Sequence, residues 1–568
     1  MNPTPPPVTY AMTLISTEAS TGFFAALPDP APDLDKALAY LQGHPLDTFM
    51  HRYVLGLLGR LPFEAFQAFL NGVDGSAPLR LALVREAAHE HTHLSTPDIA
   101  AEASTVIQEA EVTPLVTLRA LSRPELESHR NWNRLLADNL NYHRLLPDPD
   151  KAPRPFPYAP DAVTDPGGVY ITQIPPLPDA PAAAVPKPSA DETAGIALEK
   201  LKTLDLLDGS EMRHEASLSP YGLLHKWRLK VAVDCGRHHY RLSGLQTAYG
   251  RGLTLANARA SYAMEIVERC SSFATIGRDR VPGYLQEHRI HRGTRSALCK
   301  GALEPIDPNA FGVDAAYQDE PLHWIEGIRR TPSGDQPVLV PVQCIFLFSN
   351  LDEVDLYSGH GSTGLASGNT MDEARLSALM ELVERDGEAT HPFHHSLCFQ
   401  VESRDSQVAG LLEDYRGRGI QFQFQDISPP YGIPCCKCFV ADMDGRVCKG
   451  TAASLNGRRA VLSALTETPY PYPYGPPSGP GLLQLPQLCF EELPDYSTRD
   501  AATDLCLVES LLAANGVEPI YVDLTRKDIG LPVVRALLPG FALSADLEEA
   551  WRVHPRLFGN YLKLYGGQ

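Results

Sequence analysis

GLTLANARASYAMEIVERC (Gly252–Cys270) and GNTMDEARLSALMELVERD (Gly368–Asp386) align without a gap, and their shared residues decide how the chain is read. Both carry Ser-x3-Glu-x2-Glu-Arg: Ser261, Glu265, Glu268 and Arg269 in the first copy, and Ser377, Glu381, Glu384 and Arg385 in the second. Residues four and seven apart stack on one face of an α-helix, so each copy is expected to carry a polar stripe, which Glu373 lengthens by a turn in the second. Around the stripes stand Ala263, Met264, Ile266 and Val267, and Leu379, Met380, Leu382 and Val383, a pattern of largely buried helices. Buried acids need a partner or a cation. Oxygen ligands with one or two carboxylates per ion suit Mg²⁺, which commonly brings phosphates with it. A solvated acidic face with an intrahelical Glu–Arg pair is the plainer alternative, and it is weakened by the pattern occurring twice.

Composition narrows the rest. At 568 residues the chain exceeds one typical domain, and its net charge of −20 argues against nucleic acid as a partner. Eleven scattered cysteines without framework spacing suit reduced thiols and a cytoplasmic setting. No signal peptide is recognisable in the first twenty residues, and no membrane partner is expected. Val338–Phe348 is the strongest apolar run; it is too short to span a bilayer, and Val338–Ser349 reads as a buried strand.

The expected organisation has four parts. Residues 1–33 are Pro-rich and expected to be loose; 34–145 form a small helical domain; 146–190 are a Pro/Ala-rich linker or surface strap; 191–568 are an α+β region of recurring strand–helix units. Helical periodicity marks residues 46–61, 78–91 and 96–111, with Thr96 and Pro97 as a helix start. Later come a helix over 192–207, strands at 229–234, 421–425, 434–442, 520–524 and 532–538, and a truncated third copy of the motif in RRAVLSALTE (Arg458–Glu467), stopped by Pro469.

Other constellations are weaker. No Walker-type Gly-x4-Gly-Lys-Ser/Thr is present. The glycine-rich run Gly359–Gly368 could present N–H groups to phosphates or be a plain loop. His89, His91 and His93 read as a solvated patch, and Cys435, Cys436 and Cys438 as buried core thiols. The Pro-Tyr alternation of Pro469–Pro473 reads as a rigid extended segment.

The paired motifs, with GRGLT before one and GLASGNTMDEAR before the other, resemble the YcaO family, and Asp523–Gly540 resembles that family's late strand and turn. The resemblance spans about residues 187–562. It implies a YcaO-type α/β catalytic core and an ATP- and Mg²⁺-dependent enzyme that activates a backbone amide of a peptide or protein substrate. Azoline formation, thioamide formation and assistance to ribosomal-protein methylthiolation are the outcomes it implies. Carried over by position, Glu265, Glu268, Glu381 and Glu384 would hold Mg²⁺. Ser261, Asn369, Glu373 and Arg385 would lie near ATP, as would Lys187 and Thr193 in KPSADET. No general base is assigned. Further candidate partners are a protein bound by the helical N-terminal part and a second copy of the chain.

Two departures bear on this expectation. The family's arginine after the third helix is absent from TETPYPYPYG, and azoline-forming members tend to end in a Pro-x-Pro-x-Pro tail whereas this sequence ends LKLYGGQ. A non-catalytic nucleotide-binding or peptide-presenting scaffold is therefore the main alternative. A carboxylate-bridged metal hydrolase that does not use ATP is a weaker one.

Overall fold

A computed structural model describes residues 7–16, 22–72, 78–95, 116–121, 126–163, 167–175, 187–358, 361–498, 500–542 and 552–565. The expected helix over 96–111, with its Thr96–Pro97 start, lies outside the described residues.

The fold mixes helices with three main sheets. The first orders its strands Gly22–Pro28, Val8–Ser16, His238–Gly252, Tyr221–Cys235 and Leu207–Arg213. The second runs Leu365–Ser367, Val533–Leu537, Ile520–Asp523, Leu322–Thr331, Gly334–Pro341 and Glu304–Pro305, with His291–Gly293 also pairing with Leu322–Thr331. The third runs Val447–Ala453, Cys435–Ala441, Gln423–Asp426, Cys398–Glu402 and Gln487–Cys489.

The N-terminus differs from the expectation of a loose segment. Val8–Ser16 pairs in parallel with His238–Gly252, Tyr10 opposite Leu242. Prolines flank this stretch but do not interrupt it, and Tyr10 and Met12 alternate inward onto the core. The Tyr10 hydroxyl donates to Asp47 at 2.7 Å, and Asp47 caps the helix Thr48–Leu58. N-terminal strands and helices thus share one apolar cluster with Trp227, Tyr240 and Val267. In the stretch expected to be a linker or strap, Leu146 and Ala152 are buried with Trp132 against the helix Pro555–Tyr565.

Two strand expectations change in length. The strand expected at 229–234 is fifteen residues long, Tyr221–Cys235, because alternate positions such as Lys226 and Arg228 face out and interrupt any apolar run. The strand expected over Val338–Ser349 ends at Pro341 and gives way to a 3-10 turn, Val342–Cys344, buried throughout. The helix expected over 192–207 begins at Ala190 and ends at Thr203, started by a Ser189–Glu192 capping box. The truncated third copy is a helix, Gly457–Glu467.

Candidate functional site

Both motif stretches become helices by the same local device. Thr254 accepts from the Asn257 N–H and Thr370 from that of Glu373, so each repeat supplies its own N-cap. The resulting helices are Leu255–Ser272 and Met371–Thr390. Asn456 caps the third helix at the matching offset. A glycine precedes both Thr caps because the chain doubles back tightly: a Cβ on Gly252 would lie 2.5 Å from the Asn257 Cβ, and one on Gly368 2.6 Å from the Ala374 nitrogen.

The two helices reach one another through the second sheet. Both pack on Leu365–Ser367 and Val533–Leu537, and the Ser367 hydroxyl donates to the Met264 carbonyl at 2.9 Å. Their four glutamates act on one another by charge, Glu268 with Glu265 and Glu381, and Glu384 with Glu381. Glu265 accepts the Tyr249 N–H at 2.8 Å, Glu381 that of Gly364 at 3.2 Å, and Glu384 the Thr451 hydroxyl at 2.9 Å. Arg269 pairs with Glu265 and Glu268 at 3.6 and 3.8 Å, and Arg385 with Glu384 at 3.3 Å.

These cations do not neutralise the cluster. Burial raises the carboxyls of Glu265, Glu381 and Glu384 above the usual range. It pushes Glu268 up to about 8, with the charges of Glu381 and Glu265 adding to the effect and Arg269 opposing it. Glu268 and Glu381 therefore repel one another from different helices. Among the described residues, no three Asp, Glu, His or Cys side chains converge closely enough to hold a metal ion by themselves. Mg²⁺ in general keeps several waters and takes one or two carboxylates together with phosphate oxygens.

Four of the residues expected near a nucleotide, Lys187, Thr193, Asn369 and Glu373, meet one another. The Lys187 ammonium lies 3.0 Å from Glu373, and the Thr193 hydroxyl donates to the Asn369 side chain at 3.1 Å. Glu373 in turn accepts the Asn369 backbone and side-chain N–H groups at 2.9 and 3.1 Å. Residues far apart in the chain thus meet at the start of the second motif helix. Ser261 is exposed, one turn ahead of Glu265.

Two arginines and a fifth acid belong here that sequence reasoning did not assign. Arg535, wholly buried on Val533–Leu537, donates to the Gly361 carbonyl at 3.1 Å. Burial pulls its guanidinium down to about 10, and the charge of Glu381 opposes that. Its signal was a charge within an otherwise apolar strand of the late family-like stretch. Arg251 donates to the Glu467 carbonyl at 3.2 Å, and the charge of Glu467, at the end of the third helix, helps raise Glu384.

The weaker constellations resolve simply. In the glycine-rich run, the Gly364 and Gly368 N–H groups are taken by Glu381 and the Pro532 carbonyl. The helix carrying His89 ends at Glu90, so His89 and His93 do not share a helix face. Cys435, Cys436 and Cys438 are buried, and all eleven cysteines are free. Tyr472, in the Pro-Tyr segment, donates to Asp414 at 2.6 Å and packs on Tyr415, which makes the segment a strap. No described helix is long and apolar enough to cross a membrane.

An uncharacterized protein of Methanothermobacter thermautotrophicus is 27% identical over 339 residues, 53% of this chain and 84% of that protein. A heterocyclase solved in complex with substrate and cofactor aligns at a TM-score of 0.47 and 19% identity, over 66% of this chain and 56% of its own. A YcaO protein from Methanopyrus kandleri, bound with AMPPCP and Mg²⁺, aligns at 0.46 and 21%, over 64% of this chain and 94% of its own. The family model described as YcaO cyclodehydratase, ATP- and Mg²⁺-binding, matches residues 249–469 and 471–542, both motif helices and the strand bearing Arg535 included. With more than half of its length matched by that model, the chain belongs to the YcaO family.

Proposed function

We propose that the chain is an ATP- and Mg²⁺-dependent enzyme that activates a backbone amide of a peptide or protein, leading to azoline- or thioamide-type modification. One observation carries this reading: glutamates from two duplicated helices share a buried site in which Glu268 and Glu381 repel one another. Neighbouring carboxylates that disfavour one another's charge are suited to a cation. Glu265, Glu268, Glu381 and Glu384 would hold Mg²⁺, and their raised affinity for protons is what a hard divalent ion would replace. Lys187, Thr193, Asn369, Glu373 and Arg385 would bind and orient ATP, with Ser261 at the rim.

Mg²⁺-bound ATP would supply the phosphoryl group that turns an amide oxygen, a very poor leaving group, into phosphate. The chain's own part is positioning and charge compensation, which is most of what phosphoryl transfer asks of a protein. Arg269, Arg385 and Arg535 supply positive charge around the carboxylates.

Calorimetry with a non-hydrolysable ATP analogue and Mg²⁺ tests the binding half, and mass spectrometry of candidate peptides incubated with ATP tests the reaction. Binding is expected in the wild type and lost in Glu381→Gln, with modified peptides lighter by one water or exchanging oxygen for sulfur. Equal binding by Glu381→Gln would overturn the assignment. Binding without turnover on any peptide would favour the scaffold alternative.

A further inference from the structure

Glu388 lies one turn beyond Glu384 on the second motif helix, outside the set assigned above, and it competes for the same arginine. Arg385 reaches Glu384 at 3.3 Å and Glu388 at 3.1 Å. A guanidinium held between two buried carboxylates cannot serve an incoming anion unless something else satisfies one of them.

The third sheet provides that substitute. Lys437 stands opposite Thr451, and Phe439 opposite Lys449, so these side chains share one face of the sheet. It is the face turned to the second motif helix, since Thr451 binds Glu384 and the Lys449 ammonium lies 3.2 Å from Glu388. Lys449 is held from its other side by the last turn of the helix Leu126–Tyr142, at 3.1 Å from the Asn141 side-chain oxygen. Lys437 is 2% exposed and contacts the Phe393 ring face at 5.7 Å. Glu388 contrasts with the four motif glutamates: burial acts to raise its carboxyl, but Lys449, Arg385 and Lys437 more than offset this, and it stays ionised.

We propose that Lys449 is a positioning residue of the nucleotide site: it shares Glu388 with Arg385, so that the arginine is held less tightly there and can turn to an anionic phosphate. The lysine need not touch the nucleotide. Through Asn141, the N-terminal helical region takes part in placing the arginine.

The inference rests on the ATP-binding reading and is tested by affinity for Mg²⁺ with a non-hydrolysable ATP analogue. Lys449→Met should trap Arg385 on Glu388 and weaken binding about ten-fold, the scale of losing one charge-assisted contact. Adding Glu388→Gln to Lys449→Met removes the trap and should restore affinity to that of Glu388→Gln alone, a rescue that a merely structural lysine would not give. Unchanged affinity in Lys449→Met, or a double variant as weak as Lys449→Met, overturns the inference. Should Lys449→Met fail to fold, Lys449→Gln with and without Glu388→Gln makes the same comparison and is judged the same way. A wild type that does not bind the analogue refutes the ATP reading instead, so the two failures are distinguishable.

Discussion

Replacing Glu268 with glutamine should stabilise the apoprotein while destroying its ligand site. Glu268 is 16% exposed, and its carboxyl is raised from 4.5 to about 8 by burial, with the charges of Glu381 and Glu265 adding to the effect. A carboxyl whose folded-state value lies above its unfolded value binds more protons when folded. Stability is therefore lost as pH rises from about 4.5 towards about 8. The loss from pH 5 to pH 8 is about 3 kcal/mol for this group alone. Glutamine does not titrate, so Glu268→Gln should unfold at higher urea than the wild type at pH 8 and at nearly the same urea at pH 5. Mg²⁺ with an ATP analogue should close the gap at pH 8 by stabilising the wild type only. Wild-type and variant midpoints that run parallel from pH 5 to pH 8 would refute the claim that burial and the neighbouring carboxylates disfavour the ionised form of this group.

Arg535 and His323 give further tests. Arg535→Met removes the hydrogen bond to the Gly361 carbonyl and part of the charge that offsets Glu381, and should cost about 1–3 kcal/mol of stability at pH 7, the scale for a buried polar partner lost; a urea midpoint at or above that of the wild type would count against it. His323 sits in the core between the Cys235 sulfur at 3.2 Å and Glu353 at 2.7 Å. Burial opposes its charge, but the hydrogen bonds to Cys235 and Glu353 outweigh it and raise the imidazole to about 10. Its contribution should be complete below about pH 6.5 and lost as pH rises through about 10, a ceiling of about 5 kcal/mol. His323→Gln should flatten that alkaline decline in melting temperature, and an unchanged decline would contradict it.

The sequence by itself determined the family, the two motif helices, their acids and the later strand–helix units. The reason is locality: Thr caps, helical spacing and a repeated pattern are written within about twenty residues of chain. Lys187 and Thr193 meet residues at the start of the second motif helix, a meeting that the fold and not the local pattern brings about. The tertiary structure alone decided what crosses the chain. Val8–Ser16 is a strand because His238–Gly252 offers it an edge, something no count of prolines contains. Arg535 matters because the second sheet brings it to Glu381, and Lys449 because a cross-strand register turns it toward Glu388. Charge acts through distance and burial, and both are properties of the folded packing.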